Sequence, residues 1–295
     1  MSKQKNRRNK IENKEETRKR KLHKIRKHVD IIKKRLAFKR QKNTIERIDN
    51  GLLNTILKSI IAVKYGEYND DDQKVFQDIE SYRQELLNNS TEVSYEIFNS
   101  SETKQIKDIC RIAASPKVWG QLLYFITKYS KSKKVLEIGT NVGISGTYIL
   151  NGMKQHGDKF KFITMEGLDQ LCLHCEEHFS EIVGKDNFDI ISGLYENTFP
   201  KLIGKEKGFD LLFIDGNHRK GPTLEYFEKL KKCIAEKAIF IFDDIYYNME
   251  MTEAWNLIVE DKSVNFSIDM YKLGIIIIDK SESVKQSFGI HLSYQ

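Results

Sequence analysis

The stretch VLEIGTNVGIS, residues 135–145, reads as a buried strand, a glycine turn and the start of a helix. Its glycines run G-x3-G-x2-G at 139, 143 and 146, unlike the G-x-G-x-x-G of a dinucleotide fingerprint. Gly139 lets the chain turn sharply, and Gly143 is expected to let the backbone approach a ligand closely. Glu137 lies inside the motif, where it repels a pyrophosphate and suits a ligand bearing an ammonium group. A second acid, Glu166, ends the next strand, FITMEG (162–167), where a carboxylate can accept both hydroxyls of a ribose. A glycine turn between two acids describes a nucleoside with a charged amino-acid tail and no phosphates.

From residue 134 onward, strand-like and helical patterns alternate. Strand runs fall at Val135–Ile138, Phe160–Met165, Phe188–Ile191, Leu211–Ile214 and Ala238–Phe242, with helical patterns around 144–154, 169–182, 222–234 and 251–259. Such alternation implies a parallel sheet covered by helices on both faces. Val264–Met270 and Leu273–Asp279 follow without a helix between them and read as an antiparallel pair closing the sheet edge. The expected architecture is a doubly wound, seven-stranded, Rossmann-like α/β sheet over residues 131–295. A helical cover segment (71–130) and a basic helical or partly disordered extension (1–70) precede it. In the cover, Pro116 suits a helix first turn with Ser115 as its cap, and residues 90–103 read as an irregular connection.

Charge is unevenly spread. Residues 1–43 carry a net charge of +15 and the remainder −8. The arm is therefore expected to contact a polyanion or to act as a solvated tail. Leu22, Ile25, Val29, Ile32 and Leu36 form a 3,4-spaced stripe suited to docking on the body, to self-pairing into a homo-oligomer, or to a membrane surface. The longest apolar run, Ile275–Ile278, is far short of the roughly 20 residues of a transmembrane helix. With no visible signal peptide, and four cysteines too unevenly spaced for a disulfide framework, a cytoplasmic chain with reduced thiols is expected.

The reaction side is read from two further strand ends. Asp215 ends LLFID (211–215), with His218 three residues on, and Asp243 and Asp244 end IFIFDD (239–244). Three carboxylates at neighbouring strand ends need a counter-charge, and Mg²⁺ or another hard divalent cation held by Asp215, Asp243 and Asp244 would supply it. His218 is the candidate general base. Tyr246, Tyr247, Asn248 and Trp255 are candidate acceptor contacts. Cys172, His174, Cys175 and His178 invite a zinc reading, but small cysteines on the packed face of a helix explain them more simply.

The E-I-G-T-x-x-G-I-S run, Glu166 and the two-strand ending together resemble class I S-adenosylmethionine-dependent methyltransferases of the small-molecule O-methyltransferase type, the group that includes catechol and caffeoyl-CoA O-methyltransferases. The IDGNH motif (214–218) and the aspartate pair are similar to those of bacterial methyltransferases. The resemblance covers residues 104–280. It implies that Glu137, Gly139, Thr140, Asn141, Gly143 and Ser145 hold the amino-acid tail of S-adenosylmethionine. Glu166 and Gly167 would hold the ribose, with Ser192 and Gly193 beside the adenine and Asp215 touching both cofactor and acceptor. It also implies metal ligands at Asp215, Asp243 and Asp244, though the family commonly has Asn where Asp244 stands. The expected acceptor is a small-molecule or glycan-type hydroxyl. The alternatives are an RNA or protein methyltransferase docked by the basic arm, and a non-catalytic assembly module of the same fold.

Overall fold

The structure, a computed structural model, describes residues 27–157 and 159–292. Most of the basic arm, with Leu22 and Ile25 of its stripe, lies outside the described residues. A first helix, α1, covers residues 27–45. It docks through Ile31, Lys34, Phe38 and Ile45, all buried, while Val29, Ile32 and Leu36 are exposed. The stripe that the sequence offers for docking on the body is thus the outer face of α1 over this stretch. The docked face is a sparser series whose one lysine is buried by its ion partners.

Four helices follow: α2 (Gly51–Tyr65), α3 (Asp70–Asn88), α4 (Ile106–Ala113) and α5 (Lys117–Ser130). Asn50 caps α2, and Asn69 with Asp72 closes a capping box on α3. Ser115 does not cap α5, which starts after Pro116 without a side-chain cap. The Ser115 carbonyl instead accepts from Arg83 at 2.8 Å. Residues 90–103, expected to be irregular, hold a small antiparallel pair, β1 (Glu92–Ser94) and β2 (Thr103–Gln105), with a short 3₁₀ turn at Glu96–Phe98 between them.

The core alternates β3 (Lys134–Ile138), α6 (Ile144–Lys154), β4 (Lys161–Glu166), α7 (Asp169–Ile182), β5 (Phe188–Ser192), α8 (Tyr195–Lys205), β6 (Phe209–Ile214), α9 (Lys220–Leu230), β7 (Ile234–Phe242) and α10 (Met249–Glu260). Then come β8 (Phe266–Asp269), β9 (Gly274–Asp279) and β10 (Gln286–Gly289). Helix α8 is hidden in the sequence because Pro200 and Gly204 interrupt its pattern.

The sheet runs β10-β8-β9-β7-β6-β3-β4-β5. β7, β6, β3, β4 and β5 are parallel, and β9 is antiparallel to both β7 and β8. The sheet has eight strands rather than the expected seven. The short run Gln286–Gly289 adds parallel to β8, so the β8–β9 pair does not form the edge. Side chains alternate between the faces. Val135, Phe162, Leu211, Phe213 and Ile239 pack with α2, α3, α5, α6 and α7. Leu136, Ile163, Leu212, Phe240 and Phe242 pack with α8, α9 and α10. Strand order reverses between β3 and β6, which opens a crevice beyond their carboxyl ends.

Candidate active site

A cleft of about 740 Å³ occupies that crevice. Its walls include Asn141, Glu166, Gly167 and Asp215, together with Leu194, Tyr195 and Tyr226. Phe98, from the 3₁₀ turn, also lines it. A Cβ on Gly167 would meet the Phe98 ring at 2.9 Å, so the β1–β2 segment closes over the end of β4. Among the wall residues that escaped the sequence reading are Phe98, Leu194, Tyr195 and Tyr226. Phe98 comes from a segment with no periodicity, Leu194 from the N-cap of α8, and Tyr195 and Tyr226 from α8 and α9, whose placement depends on the sheet order.

The glycine loop is shaped by its neighbours. Gly139 has φ 106°, and a Cβ there would lie 2.7 Å from the Asp215 carbonyl oxygen. The loop after β3 therefore touches the end of β6 backbone to backbone. Gly143 has φ 81°, and its open side faces Cys175 Sγ at 3.0 Å and the Phe179 ring. Its bare backbone serves helix packing on α7, which is a different reason from ligand approach.

Glu137 is fully buried beneath the loop. Ser145 Oγ donates to its Oε1 at 2.6 Å and Thr164 Oγ1 to its Oε2 at 2.7 Å. Thr164 and Thr140 hydroxyls are 2.6 Å apart, and since the Thr164 proton goes to Glu137, Thr140 donates to Thr164. Burial, only partly offset by the hydroxyls of Ser145 and Thr164, pushes the Glu137 carboxyl up to about 7. Glu137 and Ser145 thus brace the loop from below rather than line the cleft. Glu166 does line it. Its Oε2 accepts from Asn141 N at 2.8 Å, and its Oε1 from Gly167 N at 2.8 Å and Leu168 N at 3.1 Å. Burial raises its pKa, and the three backbone donors oppose the rise. Ser192 Oγ donates to Asp169, and Gly193 N donates to the Glu166 carbonyl at 2.9 Å. The cleft wall begins one residue later, at Leu194.

At the other end, Asp215 is held well above the usual carboxylate range, first by burial and then by the nearby Asp243 carboxylate. His218 Nε2 lies 3.7 Å from Asp215 Oδ1, with the Tyr247 ring beside it. Lys272, in the turn between β8 and β9, was not anticipated. Its Nζ reaches Asp243 Oδ2 at 2.7 Å and Asp244 Oδ1 at 2.8 Å. Burial works against its charge, but the Asp243 and Asp244 carboxylates outweigh that and hold its pKa above the ordinary lysine value. The counter-charge that the three aspartates require is thus an ammonium. A divalent cation would have to compete with this ammonium, which occupies one oxygen of Asp243 and one of Asp244 while Asp243 Oδ1 is buried without a hydrogen-bond partner. Among the described residues no group of three or more His, Cys, Asp or Glu side chains is placed to hold a metal. No residue near Lys272 signals this partnership in the sequence, since it depends on β9 inserting beside β7.

The cysteine and histidine cluster on α7 is divided among separate partners. His174 Nε2 lies 3.1 Å from the Tyr82 hydroxyl, and His178 Nε2 lies 3.0 Å from Thr147 Oγ1 under the stacked Tyr82 ring. Cys175 Sγ faces the Asn141 carbonyl. Tyr246 donates to Asp269 Oδ2 at 2.6 Å, and Trp255 packs over Gly274.

Residues 136–245 match the protein family described as "Methyltransferase domain". A Mycobacterium leprae (strain TN) protein that carries an O-methyltransferase name is 29% identical over 144 residues, 48% of this chain and 62% of its own length. "Probable O-methyltransferase Rv1220c" of Mycobacterium tuberculosis is 29% identical over 42% of this chain and 54% of its own. The chain therefore spans less than two thirds of these relatives. Among solved structures, the O-methyltransferase from Bacillus cereus in complex with SAH aligns with a TM-score of 0.48 and 18% identity, covering 57% of this chain and 84% of that one. The SAH-bound Podospora anserina methyltransferase PaMTH1 aligns at 0.49 and 18%, covering 72% and 96%. Over residues 136–245 the chain is thus similar to methyltransferase domains, and its sequence relatives carry O-methyltransferase names.

Proposed function

We propose that this chain transfers a methyl group from S-adenosylmethionine to a hydroxyl oxygen of a small-molecule or glycan-type acceptor. The observation that carries the reading is the placement of Glu166 and Asp215 on one cleft at the β3/β6 crevice. The residues fit a cationic nucleoside. The cleft volume suits one small ligand, and Glu166 and Asp215 lie among its walls with Glu196 and Glu225, against the single arginine Arg219. Three backbone donors fix the Glu166 carboxylate and leave lone-pair capacity for ribose hydroxyls. Tyr195 and Tyr226 supply aromatic wall.

When bound, S-adenosylmethionine supplies an already activated methyl, so the protein has mainly to position the acceptor and take its proton. His218, with its Nε2 3.7 Å from Asp215 Oδ1, would accept the hydroxyl proton. The methyl would pass to the acceptor oxygen, with the carbon–sulfur bonding pair leaving on sulfur. Tyr247 borders His218 and contributes to the acceptor wall.

Calorimetry with S-adenosylmethionine tests the reading. Saturable binding is expected, and Glu166→Ala should weaken it roughly 100-fold through lost charge-assisted hydrogen bonds. His218→Ala should keep the affinity and lose most of the transfer to hydroxylated acceptors. Absence of binding at millimolar ligand would remove the enzyme reading.

A further inference from the structure

We propose that Lys272 is a built-in replacement for a divalent cation at the acceptor end, so that this site works without metal. The proposal rests on the reading of that end as the acceptor side of a methyltransferase.

Topology creates the arrangement. β9 pairs antiparallel with β7, placing Gly274 opposite Phe242. The turn before Gly274 therefore lands on the end of β7, where Asp243 and Asp244 sit. That turn is well fixed. Tyr271 N donates to Asp269 Oδ1 at 2.8 Å, and Met270 N donates to the Leu273 carbonyl at 2.9 Å. The Trp255 ring fills the space where a Gly274 side chain would stand. These contacts fix the backbone that carries Lys272 beside the two aspartates.

The ammonium takes one oxygen from each strand-end carboxylate, the atoms a hard cation would claim. A doubly charged ion brought to the same oxygens would sit within a few ångströms of the lysine charge, so the two cations exclude one another. An ammonium carries three donors, and Lys272 directs two of them to Asp243 and Asp244. The third is left for an acceptor oxygen, whose developing negative charge it stabilises as the proton leaves for His218. A single positive charge does this less strongly than a divalent ion. The site is thereby suited to hydroxyls that are already acidic, such as phenolic ones, over plain alcohols.

Mn²⁺ titration of the chelator-stripped full chain, read by electron paramagnetic resonance, tests the proposal, with S-adenosylmethionine affinity measured on the same samples. Wild type and Lys272→Arg should show no saturable Mn²⁺ binding below about 1 mM, the weak end of oxygen-ligand sites. Lys272→Met should gain binding at least about tenfold tighter, because its aspartates lose their counter-charge. Saturable Mn²⁺ binding by wild type that is lost in Asp243→Asn overturns the proposal. So does a folded Lys272→Met chain that still takes no Mn²⁺. If Lys272→Met fails to fold, wild type and Lys272→Arg decide. Loss of S-adenosylmethionine binding in wild type sinks the methyltransferase reading instead, whatever the Mn²⁺ result.

Discussion

Carboxylates are buried both around the loop after β3 and at the end of β7, and they are neutralised by different means. At the cofactor end, Glu137 is met by two hydroxyls and Glu166 by three backbone N–H groups. At the acceptor end, Asp243 and Asp244 share one ammonium. Neutral dipoles leave Glu137 close to half-protonated near pH 7, whereas Asp243 and Asp244 meet a full opposite charge. Both arrangements join strand ends over similar stretches of sequence, Thr164 to Glu137 over 27 residues and Lys272 to Asp243 over 29. The two ends thus differ in the kind of partner, a neutral dipole or an ammonium.

The largest expected effect tests how far the ends are mechanically joined. Gly139→Ala would place a methyl against the Asp215 carbonyl in a left-handed conformation. It should cost about 4 kcal/mol of stability in urea unfolding, through strain and steric conflict together. A cost near zero would mean that the loop and β6 can separate, and that the ends are independent.

Next is the dipole-served carboxyl. Burial lifts Glu137 from the ordinary 4.5 to about 7. Between these values the folded chain keeps a proton that the unfolded chain has released. The stability that this proton brings is full below about pH 4.5 and is lost as pH rises through about 7, roughly 3 kcal/mol in all. Glu137→Gln should abolish that slope, so its stability relative to wild type should climb between pH 4.5 and pH 8. A relative stability that falls over this range would show that Glu137 is carried as a fully ionised group.

The smallest effect sharpens the boundary between the ends. Lys34 of α1 lies 3.2 Å from Asp269, which also accepts from Tyr246 and precedes the Lys272 turn. Lys34→Ala should cost about 1 kcal/mol, less at high salt, and leave S-adenosylmethionine affinity unchanged. A matching loss of affinity would dissolve the distinction drawn above.

The same contrast governs what the sequence reveals. Residues 135–145 carry their own strand, turn and helix signals, and Glu166 marks a strand end by its position alone. The alternation from residue 134 onward is enough for the parallel sheet and the inserted antiparallel strand. Lys272 is one lysine among many until β9 lies beside β7. β10 is too short to show a period. The docked face of α1 is masked by a stronger apolar stripe, Val29, Ile32 and Leu36, that faces outward. Phe98 comes from a segment with no period of its own, and Tyr226 enters the cleft only once α9 is placed against the sheet.

The insertion of β9 between β7 and β8 also sets an order of completion during synthesis. Every side chain of the cofactor cleft has been made once the chain passes Tyr226. The aspartate pair follows, and its ammonium later still, with Lys272. A growing chain therefore holds every lining residue of the cleft before it holds the lysine that meets Asp243 and Asp244. A product cut short before the β8–β9 turn would hold the pocket residues but leave Asp215, Asp243 and Asp244 mutually repelling.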